Sequence, residues 1–423
     1  PAKMKQKLAK KNARFYTINA IKIAEDIGLG NRINMVMQAV FFKLTKLLPD
    51  EVFIKELKDG ITELYGKKGE KIVKMNHDAV DQGILSIHEV KIPEKWKDSV
   101  DKKSNINESD FVKDIMRPMA EMKGGELPVS AFADIEDGTF PSGLSKYEKR
   151  GIAVNVPEWV MERCIQCNQC AYICPHAVIR PFLLDDEELS NAPDTFVTKK
   201  ANGRAFEGLN YKIQISPLDC TGCGNCADIC PAKGKALIMK PIDTQVPKEV
   251  DNWKFAMENI RFKDDLTYGK SFKDSQFYPP LIEFSGACAG CGETPYIKLV
   301  TQLFGDRMMI ANATGCSSIW ASSAPSTAYS VNHKGKGPSW ANSLFEDNAE
   351  YGYGMYLAVK QIRDKIEENM RKLNGMKVED KIKEAFHDWL HYKDEEESKD
   401  AGERVLELLQ DFISTDVEIM RLV

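Results

Sequence analysis

The chain has 423 residues, 43% of them hydrophobic and 29% charged, with a formal net charge of -5. That length is enough for two to four domains, and the composition is ordinary for a soluble globular protein. The mild acidity gives no reason to expect a nucleic-acid partner, and no apolar run reaches the roughly 18 residues of a membrane helix.

The opening Pro-Ala-Lys-Met-Lys-Gln-Lys leads into no apolar stretch, so no secretory signal is expected. Eleven cysteines, most in C-x2-C spacing, predict a reducing compartment, with the cytoplasm as default. Residues 14–19 are β-rich, and residues 20–27 have helical spacing that stops at Gly28 and Gly30. Residues 33–48 read as a largely buried helix closed by Pro49. Two more amphipathic helices are expected over 52–65 and 68–87. His77 and His88 read as ordinary surface or packing histidines. Residues 91–160 are punctuated by proline and glycine. They predict a linker with short strands at 127–132 and 152–156 and one helix over 110–122.

Two cysteine runs follow. Cys164, Cys167, Cys170 and Cys174 form C-x2-C-x2-C-x3-C-P, and so do Cys220, Cys223, Cys226 and Cys230, at a constant offset of 56 residues. This internal repeat has the spacing of two-cluster ferredoxins. Three cysteines on one tight loop can reach three irons of one cubane, while the fourth lies too far along and serves the other cluster. The spacing therefore predicts one 4Fe-4S cluster on Cys164, Cys167, Cys170 and Cys230, and another on Cys220, Cys223, Cys226 and Cys174. Pro175 and Pro231 end the local helical turns. Gly222 and Gly224 free the backbone to point amides at sulfur. Two four-cysteine zinc sites are the bland alternative, though zinc knuckles do not need the third cysteine or the trailing proline. Between the runs, 182–208 reads as a polar excursion, 211–215 as a strand, and 236–240 as its partner.

After an aromatic, charged connector at 246–280 comes Cys288-Ala-Gly-Cys291-Gly-Glu293-Thr-Pro-Tyr. A helix over 295–304, a strand over 308–312 and Thr314-Gly-Cys316 complete the pattern. These last three cysteines suggest a third metal site lacking one ligand. The alternative is two loop thiols and one buried one. Residues 352–423 read as charged amphipathic helices, either a solvated excursion or a partner-facing layer.

Four stretches together resemble the long single-chain pyruvate:ferredoxin (flavodoxin) oxidoreductase family: 28–43, 147–159, the two cysteine runs, and the segments 288–296, 314–316 and 340–352. The resemblance implies a multidomain α/β and α+β chain. Residues 1–92 would be part of a γ-like α/β domain, 93–157 a linker with a Glu-Lys-Arg motif, and 158–245 a ferredoxin-like domain with two 4Fe-4S clusters. Residues 246–280 would be a connector, and 281–423 the first part of an α/β thiamine-diphosphate domain with a helical excursion. It also implies oxidative decarboxylation of pyruvate to acetyl-CoA and CO2 on thiamine diphosphate with Mg2+, with coenzyme A as substrate. Electrons would pass singly through three 4Fe-4S clusters to ferredoxin or flavodoxin. Cys288, Cys291 and Cys316 would be three of four ligands of the cluster nearest thiamine, and Glu293 and Cys316 would touch the cofactor. A homodimer is implied, and no nucleic acid or membrane. No catalytic residue is assigned. The chain departs from the family in having no Gly-Asp-Gly with a following asparagine for Mg2+ and diphosphate, and no fourth cysteine for the third cluster. The expectation is that further segments or partner chains supply these, and that this stretch alone does not turn over. Two other readings stay open: an electron-carrier subunit without catalysis, and a relative acting on another 2-oxo acid.

Overall fold

Helices and short strands alternate along the computed structural model, which describes residues 2–100, 108–263, 266, 271–323, 325–393, 397–410, 412–413 and 416–422. The expected mixed helix-and-strand class is observed. Residues 101–107 of the expected linker, and 264–265 and 267–270 of the expected connector, lie outside the described residues. The chain divides into two units, 1–107 and 108–423.

The first unit contains α1 (Ala2–Lys10), β1 (Phe15–Thr17), α2 (Ala20–Asp26), α3 (Asn34–Thr45), α4 (Asp50–Tyr65), α5 (Glu70–Leu85) and β2 (His88–Val90). β1 and β2 pair antiparallel, with Tyr16 opposite Glu89. Ala24, Val36, Ala39, Ile61, Ala79 and Val80 form the centre of its core. Gly83 of α5 lets that helix approach α3 closely, because a Cβ there would lie 2.9 Å from the Val36 carbonyl oxygen. α3 is less buried than its apolar run predicts. Met35, Val36, Ala39 and Val40 turn inward, while Phe41, Leu44 and Leu47 are exposed. A uniformly apolar helix does not announce which face it buries.

The second unit opens with a wide turn at Val112–Met116, then α6 (Arg117–Ala120). The stretch expected as a strand at 127–132 is instead short 3-10 helix, Val129–Ile135. β3 (Asn155–Trp159) begins three residues later than expected and leads into the first cysteine loop. Then come α7 (Gln169–Ile173), β4 (Ile179–Leu184), α8 (Asp186–Leu189), β5 (Lys199–Lys200), β6 (Asn210–Ile215), α9 (Asn225–Ile229) and β7 (Leu237–Pro241). The 56-residue repeat is also structural, since α7 and α9 occupy matching positions (169 to 225, 173 to 229).

β7 does not pair with β6 as the sequence suggested. It pairs antiparallel with β3, Met239 opposite Pro157, while β6 lies between β4 and β5. Nor is 182–208 a polar excursion. Phe182 and Leu184 are buried in β4, and the segment returns through buried Phe196 and Phe206 to add β5 to the sheet. The connector begins as an 18-residue helix, α10 (Ile242–Asn259), whose Trp253 and Phe255 are buried against this domain.

α11 (Phe272–Ser275) and α12 (Thr294–Phe304) precede β8 (Met309–Ala313) and α13 (Cys316–Ala321). The short strands β9 (Ser322–Ser323) and β10 (Ser326–Thr327) follow, then β11 (Ser339–Ser343), which pairs parallel with β8. The chain closes with α14 (Asn348–Asn374), α15 (Asp380–Tyr392), α16 (Ser398–Gln410) and α17 (Val417–Leu422). These charged helices are more than a wet layer. Met370, Leu373, Ile382, Phe386, Trp389, Val405 and Ile419 form an apolar core of their own.

Candidate iron–sulfur centres

Local backbone geometry brings the eight repeat cysteines together. In the first loop Gln166 and Asn168 have positive φ, 59° and 60°. In the second, Gly222 and Gly224 stand at the equivalent positions, with φ of 73° and 83°. The left-handed turns wrap each loop around its sulfurs. Glycine meets that conformation without strain; glutamine and asparagine need support. Gln166 is held by its own side chain, which donates to the Lys200 carbonyl at 2.7 Å and accepts from the Asn202 amide at 2.8 Å. Asn168 donates to the Lys273 carbonyl at 3.0 Å and accepts from the Tyr211 hydroxyl at 2.7 Å. Sequence reasoning passed over both residues, although the repeat aligns them with the two glycines.

The cysteines line two cavities. Cys164, Cys167, Cys170 and Cys230 line one, walled by Trp159, Tyr211, Ile213 and Leu237. Cys174, Cys220, Cys223 and Cys226 line the other, walled by Pro157, His176, Ile179 and Met239. Each therefore has three cysteines from one run and the last cysteine of the other. Backbone amides point at sulfur in both: Gln166 N–H to Cys164 Sγ at 3.4 Å, Ala236 N–H to Cys230 Sγ at 3.3 Å, and Gly222 N–H to Cys220 Sγ at 3.4 Å. All eleven cysteines are free thiols. Among the described residues, no three His, Cys, Asp or Glu side chains gather closely enough to hold a single metal ion.

Burial dominates the electrostatics. It pushes the Cys220 thiol up to about 12, opposed only in part by the Gly222 amide, and it raises Cys170 and Cys226 further. Thiols this dry stay protonated unless bound cations replace the protons, so metal loading and proton release are coupled here. The cavities thus fit a group that brings several positive irons to four thiolates and accepts amide hydrogen bonds at sulfur.

The Glu-Lys-Arg stretch seats the second loop as well as leading to the first. Lys149 Nζ pairs with buried Asp219 at 2.5 Å, and Gly151 N–H donates to the Leu218 carbonyl at 2.8 Å, immediately before Cys220. Buried Arg180 pairs with Glu283 and stacks between Trp253 and Phe284, tying β4 to the segment before Cys288.

The loop that carries Cys288 and Cys291 lies beside the second cavity. His176 Nε2 is 2.8 Å from the Ala287 carbonyl oxygen, and the Gly290 amide hydrogen-bonds to Cys223. Cys288 is exposed and Cys291 half-buried on this loop; Cys316 is exposed at the start of α13. Trp320 of α13 donates from Nε1 to Glu293 at 3.2 Å, and its carbonyl accepts from the Gly286 amide at 3.3 Å. The loop and α13 are therefore packed together. α12 then sends Lys298 back into the domain. Its ammonium is buried, pulled down to about 8 by that burial, and donates to the carbonyls of Ala171, Tyr172 and Cys174. Nothing in the sequence pattern marked this lysine.

Two crossed four-cysteine cavities on a repeated helical turn are the arrangement of an iron–sulfur domain. Residues 163–233 match the 4Fe-4S dicluster domain family. Residues 1–86 match the pyruvate ferredoxin/flavodoxin oxidoreductase family, and residues 97–153 a domain family of unknown function. Over 417 residues the chain is 53% identical to the pyruvate:ferredoxin oxidoreductase of Moorella thermoacetica, covering 98% of this chain and 35% of that protein. It is 51% identical to the pyruvate-flavodoxin oxidoreductase of Enterobacter agglomerans, over 96% of this chain and 35% of that one. It is 46% identical to the mitochondrial NADP(+) pyruvate dehydrogenase of Euglena gracilis, over 92% of this chain and 22% of that one. The chain belongs to the pyruvate:ferredoxin/flavodoxin oxidoreductase family. It spans about a third of the length of the first two relatives. Among the described residues no helix is long and apolar enough to cross a membrane.

Proposed function

We propose that this chain carries the electron relay, and part of the thiamine site, of an enzyme that oxidatively decarboxylates pyruvate to acetyl-CoA and CO2. Cys164, Cys167, Cys170 and Cys230 hold one 4Fe-4S cluster, and Cys220, Cys223, Cys226 and Cys174 hold the next. The observation that carries this reading is the pair of matched cavities, each bounded by three cysteines of one run and one of the other. Clusters bound there would supply one-electron steps.

The chain's own residues give those steps their setting. Trp159 and Tyr211 keep water from the first cavity, while the amides of Gln166, Gly222 and Ala236 offer hydrogen bonds that favour added negative charge. Cys288, Cys291 and Cys316 furnish three ligands of a third cluster, and Glu293 and Cys316 face the thiamine diphosphate. What supports this is the position of the 287–292 loop against Cys223 on one side and α13 on the other. Clusters held at these sites would supply one-electron transfer towards ferredoxin or flavodoxin, and the first cavity, whose Ile165 is exposed beside Cys164, is the surface that would meet that acceptor. The Gly-Asp-Gly and asparagine for Mg2+ and diphosphate are not among these residues and come from the rest of a cytoplasmic, homodimeric enzyme.

The test is metal content and spectroscopy of anaerobically purified protein. About eight irons and eight sulfides per chain are expected from the two cavities alone. Two zincs without iron would defeat the reading.

A further inference from the structure

Lys298 is a buried cation in a domain whose described function needs none. It belongs to α12, which directly follows the Cys288–Cys291 loop, yet its side chain is 3% exposed and points into the ferredoxin-type domain. Nζ donates to three carbonyl oxygens, those of Ala171, Tyr172 at 3.0 Å and Cys174 at 3.2 Å. Three acceptors match the three N–H groups of an ammonium; a neutral amine has only two. The geometry itself therefore selects the charged form. The carbonyls are the C-terminal end of α7, where a cation is favourably placed. α7 is also the element that strides between the cavities. Cys170 on it lines the first, and Cys174 at its end lines the second. One fixed positive charge thus stands within electrostatic reach of both.

We infer that Lys298 is a positioning residue that sets the reduction potentials of both ferredoxin-type clusters, holding them easier to reduce than the bare cavities would. The inference rests on the two-cluster reading above. Adding an electron makes a cluster more negative, so a neighbouring ammonium stabilises the reduced form, and dry surroundings leave the attraction weakly screened. Because the same side chain is rooted five residues past Glu293, it also fixes α7 to the segment bearing Cys288 and Cys291.

The experiment compares Lys298→Met, Lys298→Gln and Lys298→Arg in the holo-protein, using iron content and redox titration followed by electron paramagnetic resonance. With full iron, the neutral variants are expected to lower the reduced-to-oxidised ratio of each cluster at fixed potential by roughly tenfold. That is the size a unit charge exerts over roughly 10 Å at an effective dielectric near 20, and it equals about 59 mV for a one-electron couple. The arginine variant is expected to stay near wild type. Fully loaded neutral variants with unchanged potentials would overturn the inference, as would an arginine variant shifted as far as the neutral ones. If both neutral variants lose iron while arginine retains it, Lys298 serves assembly and the potential-setting role is overturned. Wild-type protein without iron would instead defeat the two-cluster reading and leave this lysine a helix cap.

Discussion

Gly222→Ala isolates the backbone requirement of the second cysteine loop. Two costs are readable at this position. The left-handed conformation, φ 73°, costs a residue with a Cβ about 1–2 kcal/mol. In addition, that Cβ would lie 2.9 Å from the Asn155 carbonyl oxygen and 3.2 Å from the Ala153 Cβ, so backbone in β3 must shift. Overpacking of this kind costs about 1–3 kcal/mol, giving a total of about 2–5 kcal/mol. Gly224 supplies the control: its φ is 83°, but a Cβ there meets nothing within 4 Å. Gly224→Ala should therefore cost only the conformational part, about 1–2 kcal/mol. Anaerobic chemical denaturation of wild type and both variants, with iron content measured alongside, tests the difference. Equal losses would refute the idea that contact with β3, rather than φ alone, demands glycine at 222. A Gly222→Ala protein that keeps full iron and wild-type stability would refute both parts.

Three further outcomes are expected. Cys167→Ser and Cys230→Ser should each halve the iron, from about eight to about four per chain, and remove the same paramagnetic signal, while Cys174→Ser removes the other. Different signals lost from the first two would sink the crossed arrangement. Arg180→Met should destabilise the second unit by about 3–5 kcal/mol by leaving Glu283 buried without its partner. The double change Arg180→Met with Glu283→Met should recover much of that in denaturation experiments, and purely additive losses would contradict the pairing. Asp306 should give an acid-sensitive contribution. Burial alone would lift its carboxyl, but the hydrogen bond and charge of Lys399 and the charge of Arg307 outweigh it and hold the group below the usual carboxylate range. The folded value is depressed, so its contribution is present above the unfolded value of about 3.9 and is lost as pH falls through the folded one. Partial solvent screening keeps it to about 1 kcal/mol or less. Comparing Asp306→Asn with wild type between pH 7 and pH 2 should give a stability difference that shrinks towards acid, and a constant difference would refute this.

Much of the candidate site's cysteine grouping was legible because covalent spacing constrains it. Eight cysteines at fixed intervals leave few ways to surround two cubanes, and the folded chain gathers them in the two groups that spacing predicts. Helices with strong periodicity, such as α4, α5 and α12, also fall near their expected positions. Non-local pairing was not legible. Nothing local distinguishes β7 as a partner for β3 rather than β6, because both pairings place apolar residues towards the same core. The strand expected at 127–132 failed because Pro128 stands inside it and Gly124 and Gly125 shortly before it, and both favour tight turns over extension. Lys298 was illegible for a different reason. On an amphipathic helix a lysine is read as solvent-facing, and only the carbonyls of a distant segment explain its burial.

The crossed cysteine sets have a consequence for how the protein is made. The first cavity is bounded on three sides by residues 164–170 but is not complete until Cys230, and the second needs Cys174 together with residues 220–226. During synthesis, therefore, neither metal centre can be finished while only the first run has left the ribosome. The intervening strands must first bring the two runs side by side, so on the proposed two-cluster reading insertion of iron and sulfide would be a checkpoint on correct folding of the whole segment. A chain halted after Ile229 should acquire at most one stable centre, and one halted before Cys220 none; a complete cluster in the shorter chain would disprove the dependence.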